Sequence, residues 1–484
     1  MKPETLSQGY GRNTTRCIRA GFNFQPAGRR RVEGAFDGGR ITSDGGLLLL
    51  RELTKSSGVF GRLAACFRDH RDSSRIEHTV EELLAQRVLG LICGYEDLND
   101  HDSIRDDALL AVAVGKADPT GTQRKRERDR GHALAGKSTL NRLELAKPAV
   151  DGDERYKKIS YDDHGIQRLF VDNFLGAHAS PPAEIVIDLD ATDDPVHGNQ
   201  EGRFFHGFYD GYCYLPLYVF CGDFLLGAAL NTADKQPVSG AIEELERIVG
   251  QILARWPDVR IIVRGDSGFC RDEVMRWCED NGLFFVLGLQ KNSRLIAEIE
   301  DEMKTARAVS ERTGEDARVF KDFRYATTKS WSCERRVVGK AEYITDKENP
   351  RFVVTNLSCD RHDARSLYED LYCARGDMEN RIKEQQLGLF ADRTSAHTMR
   401  ANQLRLWLSS VAYMILNELR RIALVGTELA RAQASTIRTR LLKIGATVTT
   451  SVRRIYISLS SVFPLRQVWC RALDNLHHHS VMNR

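Results

Sequence analysis

The chain has 484 residues, 42% hydrophobic and 28% charged, so it can bury more than one core and belongs to neither the disordered nor the collagenous class. Its eleven cysteines stand singly from Cys17 to Cys470 with no C-x-x-C pair, which leaves no visible disulfide framework or thiolate zinc site. The longest apolar segment, 214–230, is interrupted by Asp223 and two glycines, and the first thirty residues have arginines but no apolar stretch, so a cytoplasmic protein without a membrane partner is expected.

The net charge of +3 conceals a strong asymmetry. Residues 1–35 carry +5, residues 393–471 hold thirteen Lys/Arg against two acids, and the intervening stretch is correspondingly acidic. An acidic centre between basic ends suits a metal-loaded site among phosphate-binding flanks.

In chain order, a Gly-rich turn (FDGGRITSDGG, 36–46) precedes the apolar helix LLLLRELTK, with Ser43 or Asp44 as its expected cap. Apolar residues at helical spacing over 76–95 and 99–115 make the N-terminal region, 1–180, mainly helical. Residues 131–138, from Gly131 to Ser138, then match the phosphate-loop pattern G-x-x-x-x-G-K-[ST]. That loop needs a buried apolar strand to deliver it, and RKRERDR at 124–130 cannot be one. No nucleotide partner is therefore expected, and STLNRLELA reads as a helix start with a Ser/Thr cap.

From 183 the pattern becomes α/β. Three strands, within AEIVIDLDA, FYDGYCYLPLYVFCGD and FLLGAALNT, are followed by an amphipathic helix, the strand VRIIVRGD, a second helix and the strand LFFVLGL. This is the order of a ribonuclease H-like core, whose first part spans 181–299. Short strands over 300–356 read as a β-rich insertion. A long helix from 363 opens the second part of the core (357–425), and a basic, largely helical region (426–484) ends the chain.

Three carboxylates stand out. In EIVIDLDA, period-two alternation puts Asp188 and Asp190 on one face, and Asp266 lies just past an apolar strand. In the helix from 363, Tyr372, Arg375, Glu379, Lys383 and Gln386 share a stripe. Phosphoryl transfer by two magnesium ions, with manganese as a substitute, requires carboxylates from several such directions.

The words DLDATDDPVHGNQEG, FYDGYCYLPLYVF, RGDSGF and YCARGDMENRIKE resemble the DDE transposases of bacterial insertion sequences, specifically the thirteen-eighty family. FDGGRITSDGGLLLLREL, STLNRLE and RTRLLKIGATVTTSVRRIYISLSS extend the likeness over nearly the whole chain. The resemblance implies Asp190, Asp266 and Glu379 as the catalytic, metal-binding triad, with Asp188 as the other candidate for the first acid. The family's helix signature, Tyr-x2-Arg-x3-Glu-x6-Lys, falls on Tyr372, Arg375 and Glu379, but Gln386 replaces the lysine, leaving Lys383 to contact DNA instead. Trp331, in the insertion, is either a stacking platform for an unpaired base or a core residue. The basic C-terminal residues Arg438, Arg440, Lys443, Arg453 and Arg454 are assigned to DNA. The activity implied is recognition of terminal inverted repeats, with residues 1–180 binding the DNA ends, Mg²⁺-dependent nicking, and joining of the 3′-hydroxyls to target DNA by at least a homodimer.

Overall fold

The computed structural model describes residues 21–148, 157–344 and 347–482. Its first long helix, α1 (Val80–Cys93), begins where the T-x-x-E spelling directs. The Thr79 hydroxyl accepts from the Glu82 amide, and the Glu82 carboxylate accepts from the Thr79 amide. The earlier helix, Leu47–Ser57, differs from expectation: it starts at Gly46 with no side-chain cap. Asp44 is instead buried, accepting from the Tyr95 hydroxyl at 2.7 Å and pairing with Lys443 at 2.6 Å. Helix α2 (Asp163–Gly176) leads into the sheet.

Strands β1 (Glu184–Ala191), β2 (Leu217–Cys221) and β3 (Phe224–Ala229), helix α3 (Ala241–Arg255), then β4 (Arg260–Gly265) and β5 (Phe284–Leu289) follow in the order read from the sequence. In space they lie β3-β2-β1-β4-β5. Neighbours β1, β4 and β5 are parallel, whereas β2 runs antiparallel to both β1 and β3. Helical crossovers, α3 among them, make the parallel pairings possible. Alternation along β1 sends Ile185, Ile187 and Leu189 into a core with Phe174 of α2 and Leu245 and Ile248 of α3. The opposite face carries Val186, Asp188 and Asp190.

Residues 300–356 do not form a separate sheet. After a helix (Glu300–Thr313), strands β6 (Ala317–Tyr325), β7 (Arg335–Ile344) and β8 (Arg351–Thr355) continue the core sheet from β5 in the order β8, β7, β6, all antiparallel. The reason is the open edge of β5, whose unpaired backbone groups β8 satisfies. The chain is then helical from Ala364 to Gly388, widened into π-helical turns over Leu367–Tyr372 and Glu384–Gly388 around the regular helix α4 (Gly376–Lys383). Leu367 and Tyr368 seat this run on Ile262, Val286 and Val353, so it covers the face that bears Asp188 and Asp190.

Helices α5 (Met399–Glu418) and α6 (Arg466–Met482) share one core with α1 and with Met378 and Ile382 of α4. The N- and C-terminal parts are thus joined: Ile41 and Thr42 pair with Thr447 and Ala446. The C-terminal part is less helical than expected, because Ala446–Thr450 and Ile455–Leu459 form an antiparallel hairpin. Its β-branched residues, Thr447, Val448, Thr449, Ile455 and Ile457, suit a strand better than a helix. A second hairpin, Phe22–Ala27 with Arg30–Gly34, was also not anticipated. Among the described residues no helix is long and apolar enough to cross a membrane.

Candidate active site

Register brings the first two acids together. Gly265 of β4 is paired with Leu189 of the parallel β1, so the next residues, Asp266 and Asp190, stand at the same sheet edge. The helical run brings the third: Arg375 reaches Asp190 Oδ2 at 3.4 Å and Glu379 Oε1 at 2.6 Å. Asp266 Oδ1 accepts from the Gly268 amide at 2.9 Å, a turn bond that fixes its side chain. Asp190, Asp266 and Glu379 thus share one electrostatic neighbourhood centred on Arg375.

The electrostatics follow from burial. Loss of water raises the Asp190 carboxyl; Arg375 opposes the rise and the nearby Asp266 and Glu379 add to it, leaving the pKa at about 7. For Arg375, burial lowers the pKa, but Asp190, Glu379 and Asp266 outweigh that and hold it above its ordinary value. Beside Asp266 opens a cleft of about 490 Å³ whose walls include Lys291, Arg351, Tyr368 and Tyr372. Such walls offer positive charge and aromatic faces next to the acids.

Carboxylate oxygens are hard donors of the kind magnesium takes, so the donor chemistry fits a divalent cation. Their present spacing is that of an arginine-bridged set. Among the described residues no group of three or more His, Cys, Asp or Glu stands close enough to hold an ion.

Asp188, the other candidate for the first acid, is held by Arg264. It is 4% exposed and forms a bidentate pair with Arg264, at 2.5 Å to Nε and 2.8 Å to Nη2. Both of its oxygens are engaged by Arg264, whereas Asp190 pairs with Arg375. Gln386, at the family's lysine position, donates to the Asp193 carbonyl at 3.0 Å and so ties the helical run to the loop after β1. Lys383 is exposed and has no ion pair among the described residues. Trp331 packs edge-on against Tyr325 beneath the Arg335 guanidinium, as a core residue would.

The basic C-terminal residues divide into two kinds. Arg438 is spent inside the fold, donating to the carbonyls of Ile92 (2.7 Å), Leu91 (3.1 Å) and Gly388 (2.5 Å). Lys443 neutralises buried Asp44, and Arg440 pairs with Glu428 at 2.7 Å on the surface. Arg438 and Lys443, expected to contact DNA, are thus engaged by oxygens within the fold. Arg453 and Arg454 lie exposed at the turn of the C-terminal hairpin, with no ion pair among the described residues.

The phosphate-loop match has no phosphate site. A short 3-10 turn, Glu127–Asp129, and not a strand leads into it, and the helix it opens, Lys137–Glu144, already has an anion at its start: Asp102 accepts from the Lys137 amide at 2.9 Å. The helix cap is Gly136 rather than a serine or threonine.

Two residues escaped the sequence reading. A Cβ on Gly288 would lie 2.5 Å from the Tyr372 hydroxyl and 3.0 Å from the Ser267 amide, so only glycine lets Tyr372 lie against β5 beside Asp266. A glycine inside an apolar strand was the available signal. Arg264, a charge closing the apolar run IIVRG inside a buried strand, was the other.

Mixed α/β architecture with an acidic cluster at the edge of a partly parallel sheet defines the class of protein. The chain belongs to the DDE transposases: the family model described as Transposase DDE domain group 1 matches residues 24–481. That membership implies a transposase enzyme. No curated protein matches the chain.

Proposed function

We propose that the chain is the transposase of an insertion sequence, of the thirteen-eighty type its sequence words resemble. It binds the terminal inverted repeats, hydrolyses one strand at each end and joins the freed 3′-hydroxyls to target DNA in a cut-and-paste reaction. The observation that carries the proposal is the gathering of Asp190, Asp266 and Glu379, from three separate elements, around Arg375. The strand order β3-β2-β1-β4-β5, with β2 antiparallel to β1, supports a ribonuclease H-like core interrupted by the β-rich stretch 300–356. Magnesium, held by Asp190, Asp266 and Glu379, would supply charge to activate the attacking oxygen and stabilise the leaving one.

The chain's own groups do the rest. Arg375 offsets the charge of the acids and carries N–H groups able to donate hydrogen bonds to a phosphate. Tyr372 and Lys383 extend the same helical run toward the backbone of the scissile strand. Arg453 and Arg454 give the exposed hairpin turn an electrostatic grip on DNA outside the site. Since two ends must be cut and joined together, a homodimer on DNA is the working unit.

The test is the set of single variants Asp190→Ala, Asp266→Ala and Glu379→Ala. Each is expected to lose end cleavage by about 10⁴-fold or more while retaining binding to terminal-repeat DNA in gel-shift assays. Full cleavage by any one of them would remove that acid from the site.

A further inference from the structure

Arg264 and Asp188 take no part in the chemistry proposed above, yet they form the best-aligned buried ion pair near it. Both are nearly inaccessible, at 6% and 4% exposure, and they are direct neighbours across the parallel strands β4 and β1. The fork of Arg264 takes both Asp188 oxygens. Its remaining nitrogen, Nη1, donates to the carbonyl of Leu371, in the widened turn that precedes α4.

The positions of these three partners are related. Asp188 lies two residues before Asp190 on β1, and Arg264 two residues before Asp266 at the end of β4, so each points from the same sheet face as its acid. Leu371 lies eight residues before Glu379 on the helical run. One guanidinium therefore touches all three segments that carry the acids. Stability alone gives little reason for it, because a buried ion pair contributes about as much as well-packed apolar residues of the same volume, or less. What an apolar pair lacks is direction: the planar fork fixes a strand-to-strand distance and a helix height at once.

We propose that Arg264, acting through Asp188 and the Leu371 carbonyl, is a positioning residue that sets the Glu379 helix against the strands bearing Asp190 and Asp266. This rests on the triad proposed above. Lysine at 264 keeps the charge but cannot hold two carboxylate oxygens and a carbonyl together. The conservative variant Arg264→Lys is therefore the test, read by three measurements: Mn²⁺ binding by electron paramagnetic resonance, gel shift on terminal-repeat DNA, and thermal unfolding.

The expected result is a rise of about 10- to 100-fold in the Mn²⁺ dissociation constant, with a matching loss of end cleavage and unchanged DNA affinity. Wild-type Mn²⁺ binding by folded Arg264→Lys would overturn the proposal. So would a loss of thermal stability accompanied by normal Mn²⁺ affinity, which marks a purely structural pair. If Arg264→Lys does not fold, the double variant Asp188→Asn, Arg264→Gln replaces the ion pair with a neutral hydrogen-bonded one and is read in the same way. Glu379→Gln separates the two proposals: if it leaves Mn²⁺ binding and cleavage intact, the triad itself fails, whatever Arg264 does.

Discussion

The acidic centre and the basic C-terminal region use arginine in opposite ways. In the centre, Arg264 is buried and Arg375 half-buried, and both are paired with carboxylates. In the C-terminal region, where charge alone suggested a uniform DNA-binding surface, Arg438 and Lys443 are consumed by buried oxygens, and only residues such as Arg453 and Arg454 at the hairpin turn stay free of ion pairs among the described residues. The lesson is that a cluster of like charge in a sequence mixes structural and functional members. Burial and partners separate them.

The comparison breaks most visibly at Arg438. Replacing it with methionine leaves the carbonyls of Leu91, Ile92 and Gly388 without that donor. The expected cost is about 3 kcal/mol or more of folding stability, measured as a shift of the urea unfolding midpoint. An unchanged midpoint would return Arg438 to the DNA-binding group.

Asp190 sharpens the other side of the contrast through pH. Its folded pKa is about 7, above the unfolded value of 3.8, so the folded chain keeps a proton that the unfolded chain has released. In EDTA, stability should fall as pH rises from about 4 to about 7 and then level off. Asp190→Asn removes that loss. It should be more stable than the wild type at pH 8 by on the order of 2–4 kcal/mol, with the difference gone below about pH 4. Equal stabilities at pH 8 would mean that the carboxylate is as well solvated as in the unfolded chain.

A smaller effect is expected at Gly288. Alanine there meets the Tyr372 hydroxyl and should cost about 1–3 kcal/mol together with part of the cleavage rate. Adding Tyr372→Phe should recover part of both, because it removes the atom in closest conflict. No recovery would place the strain in the Ser267 backbone instead.

The smallest change in stability belongs to the hairpin turn. The double variant Arg453→Ala, Arg454→Ala should alter folding stability by less than about 0.5 kcal/mol. Its DNA affinity should fall, with the salt dependence of binding reduced by about one to two ions. A stability loss rivalling that of Arg438 would erase the distinction between the two kinds of basic residue.

Much of the fold could be read along the chain. Strands β1 to β8 and helix α3 fall where apolar alternation, continuous apolar runs or amphipathic spacing put them, and α1 lies within 76–95, where apolar residues recur at helical spacing. The C-terminal hairpin was hidden within a stretch expected to be largely helical, although its β-branched spelling favours strands. Within the candidate site, Asp190, Asp266, Glu379 and Arg375 were legible from spacing and resemblance. Gly288 and Arg264 were not, since a missing Cβ and a charge in a strand mean nothing until Tyr372 and Asp188 arrive beside them.

By itself the sequence determined which residues alternate, which stretches coil and which acids fall at strand ends, because these depend on neighbours a few positions away. Only the tertiary structure decided that Asp188 belongs to Arg264 while Asp190 joins the cluster, that 300–356 extends the sheet, and that Arg438 and Lys443 serve the fold. Each of those outcomes turns on a partner tens to hundreds of residues distant. A charge or an open strand edge takes whichever partner satisfies it best once water has been excluded.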